Sequence, residues 1–327
     1  MKRFGKWLGG LLIGLLGLGS LAYFIGPYEP VETDVSFDPR RFGEGVGVYF
    51  ESVESAYDDI TEGVQKRVIW AGERETRTPV SVLFVHGFSA TSEEIRPVPD
   101  RVAEALGANL VFTRLTGHGR PGAALAEASV RDWMEDLAEG LAAARAVGEE
   151  VIVMSVSTGG TLAALSALDA EMSAQVKGYV FISPNFGIND PMAPLLTMPG
   201  ARHVLPLVAG AERSWEPVSE RQEKYWTTRY PTVAVFPMAA LVKHAVDRDY
   251  SDVTVPALFH FSDKDLVVKP EVTRALAARW GGPVTLAPLS EKHDVSASHH
   301  VIAGDITAPE HTGRAVTLIL SWIEELG

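Results

Sequence analysis

The run Val151-Ile-Val-Met-Ser-Val-Ser-Thr-Gly-Gly160 sets Ser157 between an apolar stretch and a segment rich in glycine and alanine, with Ser155 and Gly159 two residues to either side. A serine hydroxyl is too weak an acid to attack an electrophile unaided near neutral pH. It needs a histidine base held in one tautomer by a carboxylate. Candidates for both lie downstream. Ala257-Leu-Phe-His-Phe-Ser-Asp-Lys-Asp-Leu-Val-Val268 carries Asp263 and Asp265, and Ser298-His-His-Val-Ile-Ala-Gly-Asp305 carries His299 and His300, with His293 and His311 nearby. The chain has no cysteine, so thiolate nucleophiles, thiolate metal sites and disulfides are excluded. A metal site built from His293, His299 and His300 lacks the His-Glu-x-x-His spacing, and neither a metal nor an organic cofactor is expected.

Scattered groups can act together only if the fold brings them to one place. From about residue 66 onward, short apolar runs alternate with stretches whose apolar residues recur every three or four positions, the pattern of an α/β chain with a largely parallel sheet covered on both faces. Strands are expected at 80–85, 109–113, 151–154, 178–182, 257–261 and 284–288. Helices are expected at 93–106, 130–147, 158–168, 270–280 and 310–326. Ser157 then stands where a strand meets a helix, at the carboxyl end of the sheet, where α/β proteins place ligands. Residues 186–254 break the rhythm with seven prolines from Pro191 to Pro237 and read as an inserted cap. Trp215, Tyr225, Trp226, Tyr230 and Phe236 within it either line an apolar acyl-chain pocket or pack the insertion onto the core.

The 327 residues are 46% apolar, enough for a sizeable core, and 29 Lys plus Arg against 42 Asp plus Glu give a net charge of −13, which disfavours nucleic acid as a partner. Lys2, Arg3 and Lys6 precede an uncharged run from residue 7 to 26, whose helical length of about 30 Å would match a bilayer core. Acidic residues follow at 29, 32 and 34, so the expected orientation leaves the N-terminus cytoplasmic and the remainder outside, periplasmic in type. The alternative is a cleaved signal peptide and a secreted protein, which Ser20-Leu21-Ala22 suits. The expected organisation is an anchor or signal segment at 1–30, a linker and lead-in at 31–65, a first core part at 66–185, a cap at 186–254 and a second core part at 255–327.

The strand–Ser155-x-Ser157-x-Gly159–helix junction resembles the nucleophile elbow of the α/β-hydrolase family, with serine in place of the usual first glycine. Val82-Leu-Phe-Val-His-Gly-Phe-Ser-Ala90 is similar to that family's His-Gly loop, and Leu115-Thr-Gly-His-Gly119 to its Gly-His-Gly loop, in which His118 has a structural role. The likeness is nearest to the carboxylesterase and monoacylglycerol-lipase branch. It implies Ser157 as nucleophile, an acid at Asp265 in preference to Asp263, and a base at His300, next to His299. It also implies an oxyanion hole made by the backbone N–H groups of Phe88 and Thr158, and an ester substrate, small-molecule or lipid. Acyl transfer, thioester cleavage and peptide cleavage share the same acyl-enzyme and stay open, as does a catalytically silent, membrane-tethered binding protein. Oligomeric state has no signature in the chain.

Overall fold

The computed structural model describes residues 7, 14, 17, 19–21, 23–289 and 296–327. The chain forms strands β1 (Arg67–Ile69), β2 (Thr78–Val85), β3 (Asn109–Phe112), β4 (Gly148–Val156) and β5 (Val176–Ile182). A separate antiparallel ribbon of β6 (Glu212–Ser214) and β7 (Arg229–Pro231) follows, then β8 (Ala257–Phe261) and β9 (Val284–Pro288). Among the described residues, the main sheet has seven strands in the order β1-β3-β2-β4-β5-β8-β9, of which only the β1–β3 pair is antiparallel. All six expected strands are present.

Period-two alternation divides the strand residues between two cores. Val82 and Phe84 of β2, Ile152 and Met154 of β4, and Val180 and Ile182 of β5 face one side. Leu83, Val85, Val153, Tyr179 and Phe181 face the other. The helices are α1 (Val46–Glu54), α2 (Val98–Leu106), α3 (Val130–Val147), α4 (Thr158–Ser166), α5 (Ala201–Ala209), α6 (Glu220–Tyr225), α7 (Val235–Val246), α8 (Pro270–Ala277) and α9 (Pro309–Glu325). Helices α2 and α9 cover the first face through residues such as Val102 and Ile319, and α1, α3, α4, α7 and α8 cover the second. Both faces are thereby sealed, which is what a parallel sheet requires.

Three expectations change. The helix expected at 93–106 begins only at Val98, because Arg96 and Val98 each precede a proline and proline is tolerated only in a first turn. Residues 31–65 are more than a linker: Phe37, Phe42, Val46 and Phe50 are buried in the core, with α1 docked on the sheet edge. The stretch 186–254 splits, since α7 packs on α4 and buries Phe236, Leu241 and Ala245 in the body of the protein. Much of the apolar run at 7–26 lies outside the described residues, as does His293. Among the described residues, no helix is long and apolar enough to cross a membrane.

The lead-in is fastened by buried charge. Lys66 Nζ meets Asp136 Oδ1 at 2.7 Å and also contacts Glu139, whose other oxygen accepts the Tyr49 hydroxyl at 2.7 Å. Burial works against the Lys66 charge, but the two carboxylates outweigh it and its pKa rises. Replacing Lys66 by Met strands two buried carboxylates without a counterion. We expect a loss of about 3–5 kcal/mol in urea unfolding at pH 7; a change below about 0.5 kcal/mol, the size expected of an ordinary surface substitution, would contradict this role.

Candidate active site

Ser157 occupies the turn between β4 and α4 with φ 50° and ψ −119°. A non-glycine residue at positive φ costs on the order of 1–3 kcal/mol, so its surroundings must hold it there. Its N–H donates to the Ile182 carbonyl at 3.2 Å, and its own carbonyl accepts the N–H groups of Asn185 and Gly160, both at 2.9 Å. Neighbouring residues are small because backbones crowd the turn. A Cβ at Gly159 would lie 2.3 Å from the Val85 carbonyl oxygen, and one at Gly160 would lie 2.8 Å from Pro184 Cβ. Ser155 fits in place of glycine by donating its buried hydroxyl to the Val180 carbonyl at 3.2 Å.

His300 Nε2 lies 3.0 Å from Ser157 Oγ, and His300 Nδ1 lies 2.8 Å from Asp265 Oδ2. A carboxylate accepts, so Nδ1 carries the proton and the Nε2 lone pair is left to accept the Ser157 hydroxyl. The second oxygen of Asp265 takes the N–H groups of Val267 and Val268 at 2.8 and 2.9 Å, locking the carboxylate plane. The acid and histidine loops are also tied together, since Leu266 N–H donates to the Ser298 carbonyl at 2.9 Å. Asp263 is elsewhere, half-exposed and paired with Arg274 of α8 at 2.7 Å. His299 makes no hydrogen bond to Ser157 or Asp265. A proton can pass from Oγ to Nε2 in this arrangement, with the resulting imidazolium facing a fixed carboxylate.

Phe88 and Thr158 line the same cavity as Ser157. Thr158 is the first residue of α4, where N–H groups have no partner within the helix, and neither its N–H nor that of Phe88 donates to another group among the described residues. The Gly87–Phe88 peptide is oriented from behind: the Gly87 carbonyl takes His86 Nδ1–H at 2.9 Å, while His86 Nε2 accepts the Leu115 N–H at 3.1 Å. Burial pushes the His86 pKa down to about 4, so the ring stays neutral and keeps this tautomer. His118 is wholly buried against His86, Phe88 and Trp133, with its pKa pushed well below the usual value by burial. It supports the loop and is remote in role from proton transfer.

Beside these groups opens a cavity of about 870 Å³ whose wall includes Ser157, His300, Leu205, Trp215, Trp226 and Tyr230. Three of the five cap aromatics line it; Phe236 is core, and Tyr225 faces a neighbouring polar groove. Local sequence reasoning missed Glu94, which also lines the cavity and is 2% exposed. Glu94 sits in a stretch expected to be helical, and only the chain fold turns it inward. Its Oε2 accepts the Gly87 N–H at 2.7 Å. Burial pushes its pKa up to about 7, against the opposing pull of the Gly87 N–H and His300. Among the described residues, no group of three or more His, Asp or Glu is disposed to hold a metal ion.

A family model described as "Alpha/beta hydrolase family" matches residues 82–305. A thermostable monoacylglycerol lipase of Bacillus sp. (strain H-257) is 29% identical over 195 residues, spanning 59% of this chain and 73% of the relative. Among solved structures, one described under the metagenome-derived lipolytic enzymes LipS and LipT superposes with a TM-score of 0.63 at 18% identity, covering 81% of this chain and 99% of that one. The monoacylglycerol lipase of Paleococcus ferrophilus gives 0.58 at 15% identity, with 80% and 98% covered. At those identities the structures speak for the fold alone.

Burial raises the pKa of Glu94 in the folded protein. The folded state binds its proton more tightly than the unfolded chain, so its stabilising share is present below about pH 4.5 and is lost as pH rises towards 7. Glu94→Gln is therefore expected to exceed the parent by about 1–3 kcal/mol in denaturant unfolding at pH 8 and to match it near pH 4. A difference that does not vary with pH would contradict the buried-acid account.

Proposed function

Because the chain belongs to the alpha/beta hydrolase family, we propose that it hydrolyses carboxylic esters through an acyl-enzyme on Ser157. The observation that carries this reading is the unbroken hydrogen-bonded series from Ser157 Oγ through His300 to Asp265 at the wall of an apolar cavity. His300 takes the hydroxyl proton as Oγ attacks the ester carbonyl, and Asp265 holds the ring and stabilises its charge. The N–H groups of Phe88 and Thr158 receive the oxyanion. The alcohol leaves with the proton from His300. Water activated by the same ring then releases the acid.

The cavity is near the upper end of the roughly 300–1,000 Å³ typical of small-molecule sites and is walled largely by cap side chains, which favours an acyl chain longer than acetate. The monoacylglycerol lipase among the relatives makes a lipid monoester the favoured substrate class. Each buried methylene contributes about 0.8 kcal/mol, so kcat/KM for p-nitrophenyl esters is expected to rise up to about fourfold per carbon from acetate towards octanoate. Ser157→Ala is expected to abolish that activity while the protein stays folded. Undiminished hydrolysis by the pure variant, or a rate that falls with every added carbon, would sink the corresponding part of the reading.

We further propose that residues 7–26 tether the protein to a membrane, with the catalytic body outside the cytoplasm. Just after that run, the Pro27 carbonyl accepts the Gly200 N–H at 2.8 Å and Glu29 pairs with Arg202 of α5, so the run ends at the cap. Val204, Leu207 and Val208 of α5 are exposed there, an apolar face suited to a lipid surface. The full chain is expected to pellet with membranes and to resist carbonate extraction. Release as a soluble protein trimmed near Ala22 would favour a cleaved signal instead.

A further inference from the structure

The two peptide groups of Gly87 are each pinned by a different side chain. Ahead of Gly87, the N–H of the His86–Gly87 peptide donates to Glu94 Oε2 at 2.7 Å. Behind it, the carbonyl of the Gly87–Phe88 peptide accepts His86 Nδ1–H at 2.9 Å and, at 3.3 Å, the Ala90 N–H. In a planar trans peptide the C=O and N–H point in opposite directions, so holding that carbonyl aims the Phe88 N–H the other way. Glycine offers little resistance to rotation about its own φ and ψ, so these contacts decide where that N–H points. Position 87 has no room for a side chain that would do the job instead. A Cβ there would lie 2.9 Å from Glu94 Oε1 and 3.0 Å from Ser157 Cβ, which also shows that Glu94 and the hydroxyl-bearing residue crowd one small space.

We propose that Glu94 is a positioning residue of this site: by gripping the Gly87 N–H it fixes one half of the glycine hinge and so aims the Phe88 N–H at the oxygen that becomes negative in the transition state. A carboxylate buried merely for stability would be an expensive choice at this place, since an apolar side chain fills space without the desolvation cost. What an apolar residue cannot do is accept the N–H. The polar neighbours of Glu94 are otherwise engaged. His300 is held by Asp265 and Ser157, and on Glu94's own segment Glu93 and Arg96 pair with each other. The proposal rests on the ester-hydrolase reading only for its substrate, because any tetrahedral adduct on Ser157 would use the same donor.

The experiment compares Glu94→Ala and Glu94→Gln with the parent, by steady-state hydrolysis of p-nitrophenyl butyrate and by the second-order rate at which a fluorophosphonate labels Ser157. A mis-aimed oxyanion donor weakens the transition state and spares ground-state binding. The alanine variant should therefore lose about 10- to 100-fold in kcat with KM changed less than about twofold, and labelling should slow in parallel. The glutamine oxygen accepts the same N–H, and that variant should recover to within about threefold of the parent, on the same transition-state argument. Should the alanine variant fail to fold, Glu94→Asp, which withdraws the carboxylate by one methylene, carries the same expectation. Parental kcat and labelling rate in a folded alanine or aspartate variant, or equal losses in alanine and glutamine, would overturn the proposal. A parent that hydrolyses no ester yet is labelled at a rate that depends on Glu94 would overturn the ester reading and leave the loop role standing.

Discussion

The hydrogen bond between Ser157 Oγ and His300 Nε2, at 3.0 Å, is the constraint around which the molecule is organised. Its two ends are 143 residues apart in the chain, and only the parallel sheet brings them together. Strand β4 delivers Ser157 at its carboxyl end, β8 delivers Asp265 just beyond its own, and the loop before α9 returns His300 between them. Sealing both sheet faces makes those strand ends rigid. The positive φ at Ser157 is a local cost that three backbone hydrogen bonds and two close-packed glycines hold in place. Pre-organisation of this kind matters because a general base is useful only within hydrogen-bond reach of the proton it takes.

The surroundings divide by polarity. Behind the turn, neutral buried imidazoles at His86 and His118 orient peptide groups without adding charge. In front of it, cap aromatics and aliphatics wall the space proposed for an acyl chain, whose binding there would displace water and strengthen electrostatic contacts with a developing oxyanion. The cap is bound to the acid loop as well as to Pro27 and Glu29. Asn189, at its start, donates from its backbone N–H to the Val267 carbonyl and from its side chain to that of Asp265, at 2.9 and 3.0 Å. The cavity wall and the Asp265 loop are therefore parts of one framework.

Much of this was legible from residue order alone, for physical reasons. Strands buried on both faces must be apolar runs, and the crowding at the β4–α4 turn must appear as small residues around Ser157, so both leave local signatures. The acid was ambiguous because Asp263 and Asp265 share one loop; what separates them is that Arg274 sits within reach of the first and His300 of the second. The histidine was similarly ambiguous between neighbours; what separates them is that His300 reaches both Asp265 and Ser157. Contacts between distant segments left no local mark. Helix α1 was hidden in what looked like a linker, and Glu94 was masked by Glu93, although one ends buried against Gly87 and the other paired with Arg96. The cap aromatics show the same limit: composition announces apolar surface, and only packing assigns Phe236 to the body and Trp226 to the cavity.

The central claim is that the acyl group passes through Ser157. It is tested most directly by quenching the enzyme with acid milliseconds after mixing with a p-nitrophenyl ester and weighing the intact protein and its peptides by mass spectrometry. The account predicts one acyl group per chain, located on the peptide that contains Ser157 and decaying at the rate of deacylation. Rapid turnover with an acyl group on another residue would contradict it, as would turnover with no acylated chain when release of p-nitrophenol shows a full burst.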